Sequence, residues 1–157
     1  MGISNKELIQ HFYTCFQNKD FKGMQQCYDD DAVFSDEVFK SLNASQVRSM
    51  WEMLIGRSHD LALTFSDIEA DEIKGKAQWT AVYTFSKTNR RVVNHIQARF
   101  ILNDGKIVQH VDSFDFYVWA RQALGLPGLL LGWTEFMRKK VQKTAMLGLN
   151  KFMEKNT

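Results

Sequence analysis

The chain is short of several things, and each shortage removes a class of protein. Only two of its 157 residues are cysteine. Cys15 and Cys27 both fall in helical patterns, so they read as reduced core thiols, and a cytoplasmic protein is expected. The net charge of +2 is too small to imply a nucleic-acid partner. No apolar run approaches the ~20 residues of a membrane span. The start lacks the basic and apolar regions of a secretory signal, and Lys6 stands where a myristoylation signal on Gly2 wants Ser or Thr. There is no internal repeat, low-complexity tract, linker, Gly-rich phosphate loop, nucleophile elbow or recognisable Cys–His pairing. What is present is apolar: hydrophobic residues make up 45% and aromatics 13%. Disorder is thereby excluded, and the length suits one domain with one sizeable core.

The first half of the chain reads as helices. Ser4 and Glu7 have capping-box spacing, and Leu8, Ile9, Phe12 and Phe16 follow at helical intervals to about Gln17. Asp20 caps a short second helix with Phe21, Met24 and Tyr28 as its inner stripe, ended by Asp29-Asp30-Asp31. Ala32 to Phe34 is a short extended piece, and Ser35-Asp36-Glu37 bends the chain. Asn43 and Gln46 form another cap pair before a helix striped by Val47, Met50, Trp51, Leu54 and Ile55 and stopped by Gly56. Near Asp60 the period changes from helical to alternating. Leu61, Leu63 and Phe65, then Trp79, Ala81, Tyr83 and Phe85, alternate with polar or small residues. Thr88-Asn89-Arg90 turns the chain into one more hairpin. Helices followed by an antiparallel meander imply an α+β fold, with helices on one face of the sheet. A mildly apolar outer strand face, Thr80, Val82 and Thr84, suggests a homodimer through the sheet.

That hairpin, Ala98 to Phe116, carries the candidate site. Asp104-Gly105 between alternating runs is a strong hairpin signal, because a type I′ turn needs positive φ at both central residues. Counting outward from it pairs Asn103 with Lys106, Ile101 with Val108, Arg99 with His110, Gln97 with Asp112 and His95 with Phe114. Arg99, Gln97 and His95 then share a face with His110 and Asp112. The same residues could be a solvated outer face, since a slip of one residue exchanges the faces. His95, His110 and Asp112 are the right types for a two-His, one-carboxylate metal site. His95 falls one pair too far from Asp112, however, and no metal is expected.

Beyond Phe116, Tyr117 to Leu124 reads as a short helix closed by Gly125 and Pro127, and Thr134 starts a last helix to about Met153. Arg138, Lys139, Lys140, Lys143, Lys151 and Lys155 face only Glu135 and Glu154 there. An anionic membrane or acidic partner is one reading of this excess, and a solvated helix face is the plainer one. Leu129, Leu130, Leu131 and Trp133, in a Gly-rich loop, are expected to cover a pocket mouth or form a dimer contact.

Two stretches resemble a known family. Residues 30–38, DDAVFSDEV, are similar to the D-D-A-x-x-x-D-P-V stretch of ketosteroid isomerase, whose last Asp is the general base. Residues 105–114, GKIVQHVDSF, resemble the final strand of the SnoaL-like polyketide cyclases of the nuclear transport factor 2-like superfamily. The resemblance implies a cone. A curved four-stranded antiparallel sheet would wrap three N-terminal helices over residues 1–124, with residues 125–157 packed on the same domain as a loop and helix. It also implies that His110, Asp112 and the matching position of the preceding strand face a pocket for a small apolar organic ligand.

On that reading Asp112, His110, Arg99 and Asp36 are the catalytic candidates. Gln97, His95, Phe34, Trp51, Phe114 and Tyr28 are the candidate lining. The chemistry would be cofactor-free acid/base work of isomerase, cyclase, dehydratase or epoxide-hydrolase type, the last using two Asp and an Arg. Phe12 stands where ketosteroid isomerase has its oxyanion-hole tyrosine, with Tyr13 one position off and directed elsewhere. Gln97 matches its second acid. Steroid enolisation is therefore not implied. A non-catalytic carrier or sensor and a protein-interaction module are the alternatives.

Overall fold

Local capping starts the helices. In a computed structural model describing residues 3–156, Ser4 and Glu7 form a reciprocal capping box on α1 (Asn5–Gln17), and Asn43 and Gln46 form another on α3 (Ala44–Arg57). Asp20 caps α2 (Phe21–Gln26) through Gly23 N. Gly2, where a myristoyl group would attach, lies outside the described residues. The strands are β1 (Tyr28–Ser35), β2 (Ala62–Ala70), β3 (Lys74–Phe85), β4 (Arg90–Asn103) and β5 (Lys106–Ser113). Three further helices follow: α4 (Phe116–Leu124), α5 (Leu126–Leu131) and α6 (Glu135–Lys155).

The fold is α+β, as expected, with a curved, unclosed sheet in the order β1-β5-β4-β3-β2. Strands β2 to β5 are the antiparallel meander. Two expectations need correcting. The extended piece near Ala32 is a full strand that joins β5 in parallel, so the sheet has five strands rather than four. Tyr28 opens that strand and does not belong to α2, which ends at Gln26. The acidic run Asp29-Asp30-Asp31 lies within β1 on its irregular stretch, where the pairing shifts between Tyr28 and Val33. Aspartates are poor strand formers in general. Here they hide the strand because their side chains sit at a solvated edge, half-buried or exposed.

The larger correction concerns register. Asp104 (φ 49°) and Gly105 (φ 70°) do make the left-handed turn, and Asn103 does face Lys106. Beyond it Leu102 pairs with Ile107 but Ile101 pairs with Gln109, leaving Val108 as an extra residue on β5. This bulge rotates the rest of β5 by one position. His110 therefore faces Phe100 and Asp112 faces Ala98. Arg99, Gln97 and His95 point to the opposite, convex side and are exposed. A second shift, in β2 between Ser66 and Glu69, also bends the sheet.

The core fills the concave side. Phe12, Phe16, Phe34, Trp51, Trp79 and Phe100 are all buried there, supplied by α1, α3 and three strands. The helix α4 packs on β4, and α6 packs on α3, sending Leu149 into the core. The expected loop around Leu129 is the helix α5, and its leucines are exposed. Among the described residues no helix is long and apolar enough to cross a membrane.

The bulge yields a test. Deleting Val108 removes the extra residue and leaves Gln109 opposite Ile101, His110 opposite Phe100 and Asp112 opposite Ala98, so His110 and Asp112 stay inward and only the local kink is lost. Cooperative folding should survive the deletion at a cost of up to about 3 kcal/mol for the lost local twist, whereas Val108→Ala, which keeps the bulge, should cost only about 1 kcal/mol. Urea unfolding of both variants measures this.

Candidate functional site

Residues of β5, β1 and α3 converge behind the sheet. Tyr28 comes from the start of β1, Trp51 from α3, and His110 and Asp112 from successive inward positions of β5. The Trp51 Nε1–H donates to the Tyr28 hydroxyl at 3.0 Å, and that hydroxyl lies 2.8 Å from His110 Nδ1. His110 Nε2 lies 2.9 Å from Asp112 Oδ1. The indole can only donate, so the Tyr28 oxygen accepts from it, and in the imidazole tautomer that turns its N–H toward Asp112 the hydroxyl gives its own proton to Nδ1. Nε2 is then the nitrogen that carries a proton, and it donates to Asp112. The result is a directed chain Trp51→Tyr28→His110→Asp112, with the His110 side chain 1% and the Asp112 side chain 3% exposed.

Rings enclose the imidazole. The centroid of Phe100 is 4.4 Å from that of His110, Phe34 is 5.0 Å away, and Phe12 meets it edge-on at 5.7 Å. Such a packed box fixes the imidazole and gives it no direct route to a substrate. Its contact with Asp112 holds that carboxyl against the imidazole. Burial raises the Tyr28 hydroxyl's pKa well above its usual value, so it remains a proton donor.

Asp36 lies just past the end of β1. Because β1 runs parallel to β5 with Phe34 opposite His110, the next inward position after Phe34 comes beside Asp112. Its Oδ1 accepts from the backbone N–H of Val38 at 2.7 Å and of Phe39 at 2.6 Å. Burial pushes its carboxyl up to about 7; the two N–H donors and Lys40 oppose this, while the charge of Asp112 adds to it. Nearby, Trp119 Nε1 on α4 donates to the Tyr83 hydroxyl at 2.8 Å. That hydroxyl is raised chiefly by burial, and it also feels the charge of Asp36. The C-terminal helix braces this rim. Arg138 pairs with Glu37 at 2.7 Å, and Gln142 donates to the Glu37 carbonyl at 3.1 Å.

The structure thus brings together Asp112, His110, Asp36, Tyr28, Trp51 and Phe34. Phe114 is half-buried between the main core and the cluster around Phe116 and Trp119. Arg99, Gln97 and His95 are not part of this group, because the Val108 bulge puts them on the other face. There His95 meets the Thr80 hydroxyl at 2.9 Å. Two buried donors were not anticipated. Tyr13 is fully buried rather than directed elsewhere; its hydroxyl has no partner among the described residues and feels the charge of Asp112. Trp79 Nε1, whose ring is 6.1 Å from that of Tyr13, is also unpartnered. Tyr13 follows Phe12 on α1, and both rings enter the core because α1 lies in the curve of the sheet. Counting along one helix cannot show that.

The SnoaL-like domain model matches residues 9–110. The chain belongs to the SnoaL-like domain family. Solved structures agree on the fold. An LEH-like epoxide hydrolase from M. tuberculosis shares 22% identity and superposes with a TM-score of 0.62. That match covers 83% of this chain and 92% of that one. A proposed polyketide cyclase from Pseudomonas putida gives 18% identity and a TM-score of 0.66, over 78% of this chain and 99% of that one. A nuclear transport factor 2-like protein from Cytophaga hutchinsonii gives 9% and 0.60, over 73% and 93%. No curated protein matches the sequence. The family match ends at His110, so Asp112 and the α6 brace lie beyond it.

Asp36 links the site to stability. Its folded carboxyl holds a proton up to about 7, whereas an ordinary aspartate releases it near 3.8. The sign follows from a raised folded value: the contribution is complete below about pH 4 and is lost as pH rises through about 7. Asp36→Asn keeps the Oδ1 acceptor for Val38 and Phe39 and removes the titration. Its unfolding free energy should fall less between about pH 4 and about pH 8 than that of the wild type, by up to about 4 kcal/mol. Urea unfolding across that range checks the difference.

Proposed function

We propose that this SnoaL-like protein is a cofactor-independent acid/base enzyme on a small apolar carbonyl compound, of isomerase, cyclase or dehydratase type. Asp36 is the proton-transferring group. The observation that carries this is a carboxyl at about 7 beside Asp112, the end of the buried hydrogen-bonded chain. A group that titrates near the working pH can both take and return a proton. In the proposed step the Asp36 carboxylate removes a proton from the carbon next to the carbonyl. The C–H electron pair moves into the enolate, whose oxygen receives a hydrogen bond from the Tyr83 hydroxyl. Protonated Asp36 then returns the proton at another carbon, or the enolate carbon attacks a second carbonyl, whose π pair becomes an alkoxide that takes the proton from Asp36. His110 is a positioning residue for Asp112, whose charge tunes Asp36.

The epoxide-hydrolase type is not favoured, because Arg99 lies on the convex face and Arg138 is held by Glu37. A carrier of the same ligand at the polar end is the second reading, favoured by the apolar side chains packed around Tyr83, among them Trp119 and Phe114. Proton exchange separates the two. Simple cyclic ketones and enones in D2O, followed by NMR, should lose their α-protons faster with protein than with buffer, with a rate that rises through about pH 7. Asp36→Asn should cut the rate about a hundredfold or more. Asp112→Asn should move the midpoint of the profile downward, since a neighbouring charge is removed. A ketone that binds without exchanging would establish the carrier instead.

The proposed assembly is a homodimer through the convex face. Thr80, Val82 and Thr84 lie there, half-buried, and a shallow groove of about 870 Å³ runs along Lys76, Gln78, Gln97 and Arg99. Equilibrium sedimentation at micromolar concentration should show twice the 18.3 kDa chain mass; a monomer alone would remove this assembly.

A further inference from the structure

The helix α5 is built inside out. In a surface helix of a globular protein the apolar side chains face the core and polar ones face water. Here the protein-facing positions are glycine. A Cβ on Gly128 would come within 1.9 Å of the Ala120 carbonyl oxygen, and one on Gly132 within 2.3 Å of the Gly128 oxygen and 2.9 Å of the Ala120 Cβ. The backbone of α5 therefore lies directly on α4, where no larger residue fits, and the Tyr117 hydroxyl fastens it by donating to the Leu129 carbonyl at 2.9 Å. The leucines are left on the outside. Leu126 is 65% exposed, Leu130 59%, Trp133 73% and Phe136 69%. Trp133 is held by its own ring nitrogen, which donates to the Leu130 carbonyl at 3.0 Å.

Charge around this knob is mainly positive, although Arg138 is already paired with Glu37. Between residues 121 and 147 the only acidic side chain is Glu135, against Arg121, Arg138, Lys139, Lys140 and Lys143. Arg90 is exposed next to Gly125, its Nε donating to the Gln122 carbonyl at 2.7 Å. On α6 the residues Phe136, Lys140, Lys143 and Leu147 fall at intervals of four, three and four, so they share one stripe. All four are exposed.

We infer that α5 and the first half of α6 dock the protein on an anionic lipid bilayer, with the leucines and Trp133 entering the interface and the lysines meeting the headgroups. Apolar side chains rimmed by cations, with a tryptophan at the boundary, suit that surface. A second copy of the chain fits it poorly. A two-fold contact places the same patch on both partners, so Lys139, Lys140 and Lys143 would meet their own counterparts with one glutamate per chain to neutralise them. The docking does not depend on the proposed reaction.

Vesicle flotation with the full chain tests it. The protein should float with vesicles of phosphatidylcholine containing one-third phosphatidylglycerol, less with phosphatidylcholine alone, and less at high salt. The triple variant K139Q/K140Q/K143Q should partition roughly a hundredfold more weakly to the anionic vesicles. Leu129→Ser with Leu130→Ser should lose at least about tenfold. All altered side chains are exposed, and unchanged melting temperatures will confirm intact folds. Brominated lipid should quench the emission of the wild type and spare that of Trp133→Phe, because the other three tryptophans are buried. Wild-type protein left in the aqueous phase, or leucine variants that float undiminished, would overturn the inference. So would wild-type self-association that the leucine substitutions abolish, which would assign the knob to a contact between copies.

Discussion

One extra residue on β5 governs the inner face of this protein. Without the bulge at Val108, the strand would present Gln109 and Val111 to the core, and His110 and Asp112 to water beside Arg99. With it, an imidazole and a carboxylate are carried into a box of aromatic rings. Burial of such groups is costly unless each finds a partner. The partners come from elements far apart in the chain: a hydroxyl at the first residue of β1 and an indole in the middle of α3. A buried polar network tolerates no missing member, so the backbone irregularity, the tyrosine and the tryptophan depend on one another.

That dependence explains which features can be read along the sequence. Capping boxes join residues three apart, and both were legible at Ser4 and Asn43. The Asp104-Gly105 turn and the change of period near Asp60 are local as well, and they gave the meander and its turn. A bulge leaves no such trace, because Val108 looks like any strand residue and the extra position is defined only by the partner strand. The same holds for β1. Three aspartates and a tyrosine read as the end of a helix until β5 supplies their ladder. Arg99, Gln97 and His95 were drawn into the site by correct counting from a correct turn, and the bulge removed all three together. Asp36 was visible as a candidate base through the family likeness; its displaced titration comes from burial that no linear pattern reports.

The interior has a direction. Its closed end, around Phe12, Phe34 and Phe100, is packed with rings, and its polar end gathers Asp36, Asp112 and Tyr83. The polar end is finished by segments outside the stretch common to the family. Trp119 on α4 engages Tyr83, and α6 grips Glu37, the neighbour of Asp36, by an ion pair and a hydrogen bond to its carbonyl. The environment of the proposed base is thus completed by the C-terminal helices. The framework of the family and the particular electrostatics of this chain come from different parts of the sequence.

The parallel pairing of β1 with β5 bears on how the molecule assembles. The meander from β2 to β5 closes through short loops, and such contacts form early because little chain entropy opposes them. Tyr28 and His110 are separated by 82 positions, so their bond closes a far larger loop than any of the three hairpins and needs β1 seated beside β5. The hydrogen-bonded chain behind the sheet is then among the last features to form. By the same topology β1 is an edge strand, paired on one side only, and its buried Tyr28, Ala32 and Phe34, packed against α3 and β5, close the box around the imidazole.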